Sequence, residues 1–210
     1  IVVAGCDAKT RQALVADRDG ELHTIGLDDL ARARGSTFKP FPPKNTWYGF
    51  DFSGRCQPTA EDVWGGIGQV VRTMLQPPIA NLGVQGIHTA AWRVQKWPQL
   101  MDEGQLRYTC FNVFIFIDAT GGTGGGLFRY MYGRFLEEAA QITGDARLVE
   151  VAEAMKHIGD RWQEVAMRFK EAYTAPNPEA CLPEAAAALT DIADWEQVTW
   201  ERLQSLAKKA

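Results

Sequence analysis

The chain has 210 residues, 46% of them hydrophobic and 23% charged, enough for one large domain or two small ones around a packed core. Seven Trp, ten Phe and five Tyr supply too much buryable surface for a disordered chain. The longest apolar run, Val113–Ile117, is far short of the ~20 residues a membrane-spanning helix requires, so no membrane association is expected. Twenty-two basic against 26 acidic residues leave a net charge of −4 with no basic stripe, which disfavours nucleic acid as a partner. Cys6, Cys56, Cys110 and Cys181 stand far apart without a CxxC pair, the pattern of reduced thiols in a cytoplasmic protein rather than a disulfide framework. Because Ile1 stands where Met would begin a natural precursor, the start is expected to be cut, processed or left out.

In chain order, Ile1–Ala4, Ala13–Ala16 and Leu22–Ile25 are short β-branched runs. Gly5-Cys6-Asp7 and Asp17-Arg18-Asp19-Gly20 separate them as predicted turns. Leu27–Arg34 predicts a short helix, and Phe38–Asn45, with three prolines, an extended linker. From about Thr59 the period becomes helical. Thr59 with Asp62 makes an N-cap for a helix whose apolar face is Val63, Ile67, Val70, Val71 and Met74. Further helices are predicted over Leu82–Val94 and Leu106–Ile117. After the glycine run 121–126, Leu127, Met131, Phe135, Ala139 and Ile142 restart a helix that Gly144 ends. The strongest amphipathic pattern is Leu148, Val151, Met155, Ile158, Trp162, Val165, Phe169 and Ala172. Asn177-Pro178 breaks it, and Pro183 opens a last helix whose face is Leu189, Ile192, Trp195, Leu203 and Leu206. The expected fold class is α+β, mostly helical: short antiparallel strands followed by five or six helices. Three strands and one short helix cannot bury both faces of a sheet, so other helices, another subunit or further chain must cover it.

Motifs for chemistry are sparse. Gly121 to Gly126 has the outer spacing of a Walker loop, but Leu127-Phe128 stand where Lys and Ser/Thr are required. No Gly follows either Gly-x-Gly pair at dinucleotide spacing. A hinge or tight turn is the plainer reading. The alternative is a substrate carboxylate or phosphate bound by Gly124, Gly125 and Arg129 at a helix N-terminus. No metal is expected, since His23, His88 and His157 lack partners at ligand spacing. Asp51-Phe52-Ser53-Gly54 only superficially resembles a nucleophile elbow. Cys56, just before the Thr59 cap, is the best internal nucleophile, with His23 as its base, against the plainer reading of inert thiols.

Ile1-Val2-Val3-Ala4-Gly5-Cys6-Asp7, Leu14-Val15-Ala16-Asp17 and Leu27–Arg34 together resemble the second half of a papain-like cysteine domain, as in the bacteriocin-processing peptidases. With Ala33-Arg34 and Pro40-Phe41-Pro42-Pro43, the likeness is closer to the butirosin-biosynthesis acyltransferase (BtrH-like) family. Thr123–Tyr132, Phe135–Ala139, and Trp162 after Gly159 resemble that family's helical C-terminal domain, itself of unknown function. The resemblance implies residues 1–48 as the C-terminal part of the catalytic domain and 49–210 as the helical domain. It implies transfer of an acyl group from a carrier-protein thioester to a Cys and then to an amine, forming an amide. In the family pattern the His immediately precedes the position of Ile1, and the nucleophilic Cys lies in an N-terminal half or separate chain. Asp17 alone maps onto the triad, orienting the His, and its plainer reading is a turn residue. Cys6 replaces the family's usual Tyr.

The implied partners are an acyl carrier protein bearing phosphopantetheine, the N-terminal half of the enzyme and a small-molecule amine; a homo-oligomer is also considered, and no cofactor is held by the chain itself. Arg129 and Arg134 are candidate carrier contacts, with surface solubility as the plainer role. This chain alone is expected to be inactive. The alternatives are a non-catalytic helical interaction module and a papain-like amidase or peptidase.

Overall fold

A computed structural model describes residues 1–17, 21–39, 42–54, 56–118 and 125–208. The chain is α+β and mostly helical, and divides into two units, Ile1–Cys56 and Gln57–Ala210.

The first unit is a meander of β1 (Val2–Asp7), β2 (Gln12–Ala16) and β3 (Leu22–Gly26), followed by α1 (Leu27–Arg34). Both strand pairs are antiparallel, in the order β1-β2-β3. The first turn is not at Gly5-Cys6-Asp7: those residues lie in β1, and a register shift between Val3 and Gly5 absorbs one residue as a bulge. The chain turns after them instead, where Asp7 Oδ1 accepts the N–H groups of Lys9 (2.8 Å) and Thr10 (3.4 Å), and Arg11 adopts a positive φ of 54°. Alternation in β2 buries Ala13 and Val15, which pack with Leu30 of α1 into a small core, and leaves Leu14 exposed beside Val2 and Leu22. The last residues of the predicted linker are not extended. Lys44 and Asn45 take left-handed backbone conformations, and the Asn45 N–H donates to the Arg34 carbonyl at 2.9 Å, tying the segment to the end of α1.

The second unit holds α2 (Ala60–Leu75), α3 (Gly83–Val94), the single turn α4 (Trp97–Leu100), α5 (Glu103–Ile117), α6 (Leu127–Thr143), α7 (Arg147–Thr174) and α8 (Leu182–Ala207), with a 3-10 turn at Pro178–Cys181. The Thr59 cap forms as a complete capping box. The Asp62 N–H donates to Thr59 Oγ1 at 3.2 Å, while the Thr59 N–H donates to Asp62 Oδ2 at 2.8 Å. Asp102 and Gln105 make the same device at the start of α5. The 28-residue α7 is the axis of the unit, packing on α5, α6 and α8, and α8 in turn packs on α2 and α3. Leu148, Val151, Met155, Ile158, Val165, Phe169 and Ala172 are all buried there. Small residues on α8 (Ala185, Ala186, Ala193) let it approach closely. Among the described residues, no helix is long and apolar enough to cross a membrane.

Two predicted faces differ from the observed ones. On α8, Trp195 is 47% exposed and the core position falls one residue later, on Glu196. On α6, Leu127, Met131 and Ile142 are exposed, and the buried side is Gly133, Leu136, Ala139 and Ala140. The reason is close packing: a Cβ at Gly133 would lie 3.0 Å from the Ala152 carbonyl of α7, tighter than an ordinary contact, and glycine relieves that crowding.

Removing the α2 cap with Thr59→Ala should lower stability by about 1 kcal/mol, read as a shift of the urea midpoint. The hydroxyl and then the N–H of Thr59 hold the Asp62 carboxyl below its usual range. A depressed carboxyl stabilises the fold above its unfolded pKa and loses that contribution as pH falls through the folded value. Acidification below the usual carboxylate range should therefore narrow the gap between wild type and Thr59→Ala, measured by paired urea titrations at neutral and acid pH.

Candidate functional site

The most concentrated polar chemistry in the second unit surrounds Glu196, a carboxylate with no exposed surface in the middle of α8. Arg129, in the first turn of α6, reaches it with Nε to Oε1 at 2.7 Å and Nη2 to Oε2 at 2.8 Å. Trp162 of α7 donates its indole N–H to Oε1 at 2.9 Å, and Trp200, one turn further along α8, donates to Oε2 at 2.9 Å. Four donors thus replace the water that burial removes, which a buried carboxylate requires. The Arg129 guanidinium lies 6.0 Å over the Trp200 ring, and the Tyr132 ring packs on Trp200 with centroids 5.1 Å apart. The Tyr132 hydroxyl is buried with no hydrogen-bond partner among the described residues, and burial drives its ionisation far above the usual phenol range.

The ends of α5 and α6 converge beside this cluster. Asp118, closing α5, is buried and accepts from Gln163 Nε2 at 2.8 Å, next to Trp162 in sequence. Gly125 and Gly126 then pass so close to neighbouring backbone that side chains are excluded. A Cβ on Gly125 would sit 2.9 Å from Ile117 Cα, and one on Gly126 2.9 Å from the Gly159 carbonyl. Gly159 is constrained in the same way by the Tyr130 ring. Tyr130 donates to Asp160 at 2.6 Å, and its phenol is pushed up to about 12 by burial first and then by Asp160. These glycines therefore do a packing job, bringing α5, α6 and α7 together. Gly124 lies outside the described residues.

The other sequence-predicted residues fall elsewhere. Asp17 is exposed immediately after β2 in the first unit. His23 stands on β3 opposite Val15, and Cys56 is exposed. Cys110 is buried and pushed up to about 11, by burial first and then by Cys181, whose own thiol is raised by burial and by Glu171 and Glu184. Both remain protonated, poorly nucleophilic thiols near neutral pH. His88 approaches Asp194 at 3.6 Å and His157 meets the Trp195 ring edge-on at 5.5 Å. No group of His, Cys, Asp and Glu among the described residues is arranged to hold a metal ion. Arg134 is exposed on α6. Arg129, by contrast, is no surface residue: its side chain is 18% exposed and two of its three nitrogens are spent on Glu196, leaving Nη1 for anything further.

Glu196 was missed by sequence reading, though a signal existed. It continues the Leu189–Ile192–Leu203 period better than Trp195 does, and an acid on a core stripe demands a cationic partner.

An antiparallel meander and a helical unit built around a buried charge define the class of chain. Residues 28–203 match the model of a family described as Domain of unknown function (DUF4872), and the chain belongs to that family. No curated protein and no solved structure matches it.

Replacing Arg129 with Met should cost about 3–5 kcal/mol, because Glu196 would be left buried and uncompensated. The double variant Arg129→Met with Glu196→Leu should recover part of that loss. Urea unfolding of both, compared with wild type, measures the coupling.

Proposed function

We propose that the chain is the rear portion of a papain-like, BtrH-like thiol acyltransferase, completed by a Cys and a His supplied ahead of Ile1. The observation that carries the reading is the β1–β2 register. Val2 pairs with Ala16, so Asp17 lies one step beyond, at the sheet end through which chain preceding β1 would enter. A His at that entry would be within the neighbourhood of an exposed carboxylate suited to accept its ring N–H. In the reaction, the Cys thiolate attacks the carrier thioester, the acyl group moves to sulfur and the carrier thiol leaves. An amine then attacks the acyl-enzyme, the His takes its proton, and the amide departs as the Cys thiolate is restored. Asp17 holds the imidazole tautomer throughout. The helical unit shapes the acceptor pocket or receives the acyl carrier protein, with Arg134 exposed for an acidic partner. A cytoplasmic setting agrees with four free cysteines.

A second reading, a non-catalytic interaction module, is favoured by apolar surface: Val2 (57%) and Leu22 (58%) are exposed on the sheet.

Asp17→Ala in the complete protein should lower acyl transfer by about a thousand- to ten-thousand-fold while leaving carrier binding unchanged. Transfer at the wild-type rate would remove Asp17 from the mechanism. Release of free acid instead of amide from a carrier thioester would make the protein a hydrolase.

A further inference from the structure

The α6 stripe that was expected to face the core lies instead along an open groove against α2. At one end, Val70 and Met74 of α2 face Phe128 and Met131 of α6 across a cavity of about 300 Å³. At the other, Asp62 and Gly66 face Glu138 and Ile142 across a second cavity of about 300 Å³. Phe135 lines both, so the two are halves of one groove between antiparallel helices. Gly66, lining the second cavity, is exposed, and a Cβ there would meet nothing within 4 Å.

Three properties describe what fits. The walls are apolar and unpartnered: Phe128 is 54% exposed, Met131 52%, Ile142 42% and Val70 37%, a contiguity that isolated surface apolar residues do not show. The stripe from Asp62 to Met74 covers 13 residues, a rise of roughly 18 Å at 1.5 Å per residue, the length of about three turns. The charge is one-sided. Asp62 is pinned by Thr59 and Glu138 makes no ion pair among the described residues, both at the same end. The one charged residue lining the opposite end, Arg129, is committed to Glu196.

We propose that this groove docks one amphipathic helix of a partner protein. Its apolar anchors at i, i+4 and i+7 seat along Val70, Met131 and Phe135, and a Lys or Arg at one end meets Asp62 and Glu138. Two antiparallel helices present the ridges into which a third helix packs, and the acidic end sets the direction in which it lies. The proposal does not rest on the catalytic reading, since it uses neither Asp17 nor any residue ahead of Ile1; Arg129, Tyr132 and Trp200 of the Glu196 cluster line one end of the groove.

The test is selection of a phage-displayed library of helices of about 14 residues on the full chain, followed by anisotropy titration of the selected peptides. Apolar residues should be enriched at i, i+4 and i+7 with Lys or Arg at one terminus. Met131→Asp should weaken the selected peptides at least about tenfold, and Glu138→Lys should reverse the preference to peptides with Glu at that terminus. Helical circular dichroism should be unchanged in both variants, since both positions are exposed. Selected peptides indifferent to Met131→Asp and Glu138→Lys, or no saturable binding, would overturn the proposal. So would a wild-type dimer that Met131→Asp dissociates, which would assign the groove to a second copy of the chain.

Discussion

A carboxylate removed wholly from water must have its charge answered by the protein, and Glu196 forces the arrangement of three helices to do so. Its partners come from α6, α7 and its own helix α8, so none of these can shift without stranding a charge. The constraint reaches outward. Arg129 sits in the first turn of α6, so the start of that helix must lie close to α8, and glycine at 126 lets it approach the α7 backbone, where a Cβ would lie 2.9 Å from the Gly159 carbonyl. The glycine-rich stretch thus meets, at its described end, a packing requirement.

The same cluster gathers much of the polar chemistry of the second unit. Arg129, Glu196 and two tryptophans are residue types common in active sites, yet their hydrogen-bonding capacity is directed mainly at one another. The Cys110 and Cys181 thiols are held protonated by their surroundings. The second unit leaves apolar surface exposed along the α2–α6 groove, and also at Trp92, Leu100, Tyr108 and Val198. The first unit similarly leaves Trp47, Tyr48, Phe50 and Phe52 strongly exposed, with Phe50 and Phe52 stacked at 6.2 Å. Such surface is costly in water and suits association, whether with further chain or with a separate protein.

Local rules were legible. The eight-residue apolar period of α7, the Thr59–Asp62 box and the alternation of β2 could be read because each depends on neighbours within a few positions. The first hairpin turn was displaced because a bulge depends on pairing with another strand, which Gly5 and Asp7 do not reveal by themselves.

By itself, the sequence determined the class, the positions of the longer helices, the Thr59 cap and the small antiparallel sheet, since hydrophobic period and capping chemistry act within a turn or two. Only the tertiary structure decided which apolar face each helix hides. On α6 both the Leu136 side and the Met131 side are apolar enough to be core, and the choice fell to the side where Gly133 permits α7 to approach. It also decided that Arg129 belongs to Glu196, 67 residues away in sequence. Long-range charge pairing is set by which helices pack together, and no spacing along the chain encodes it.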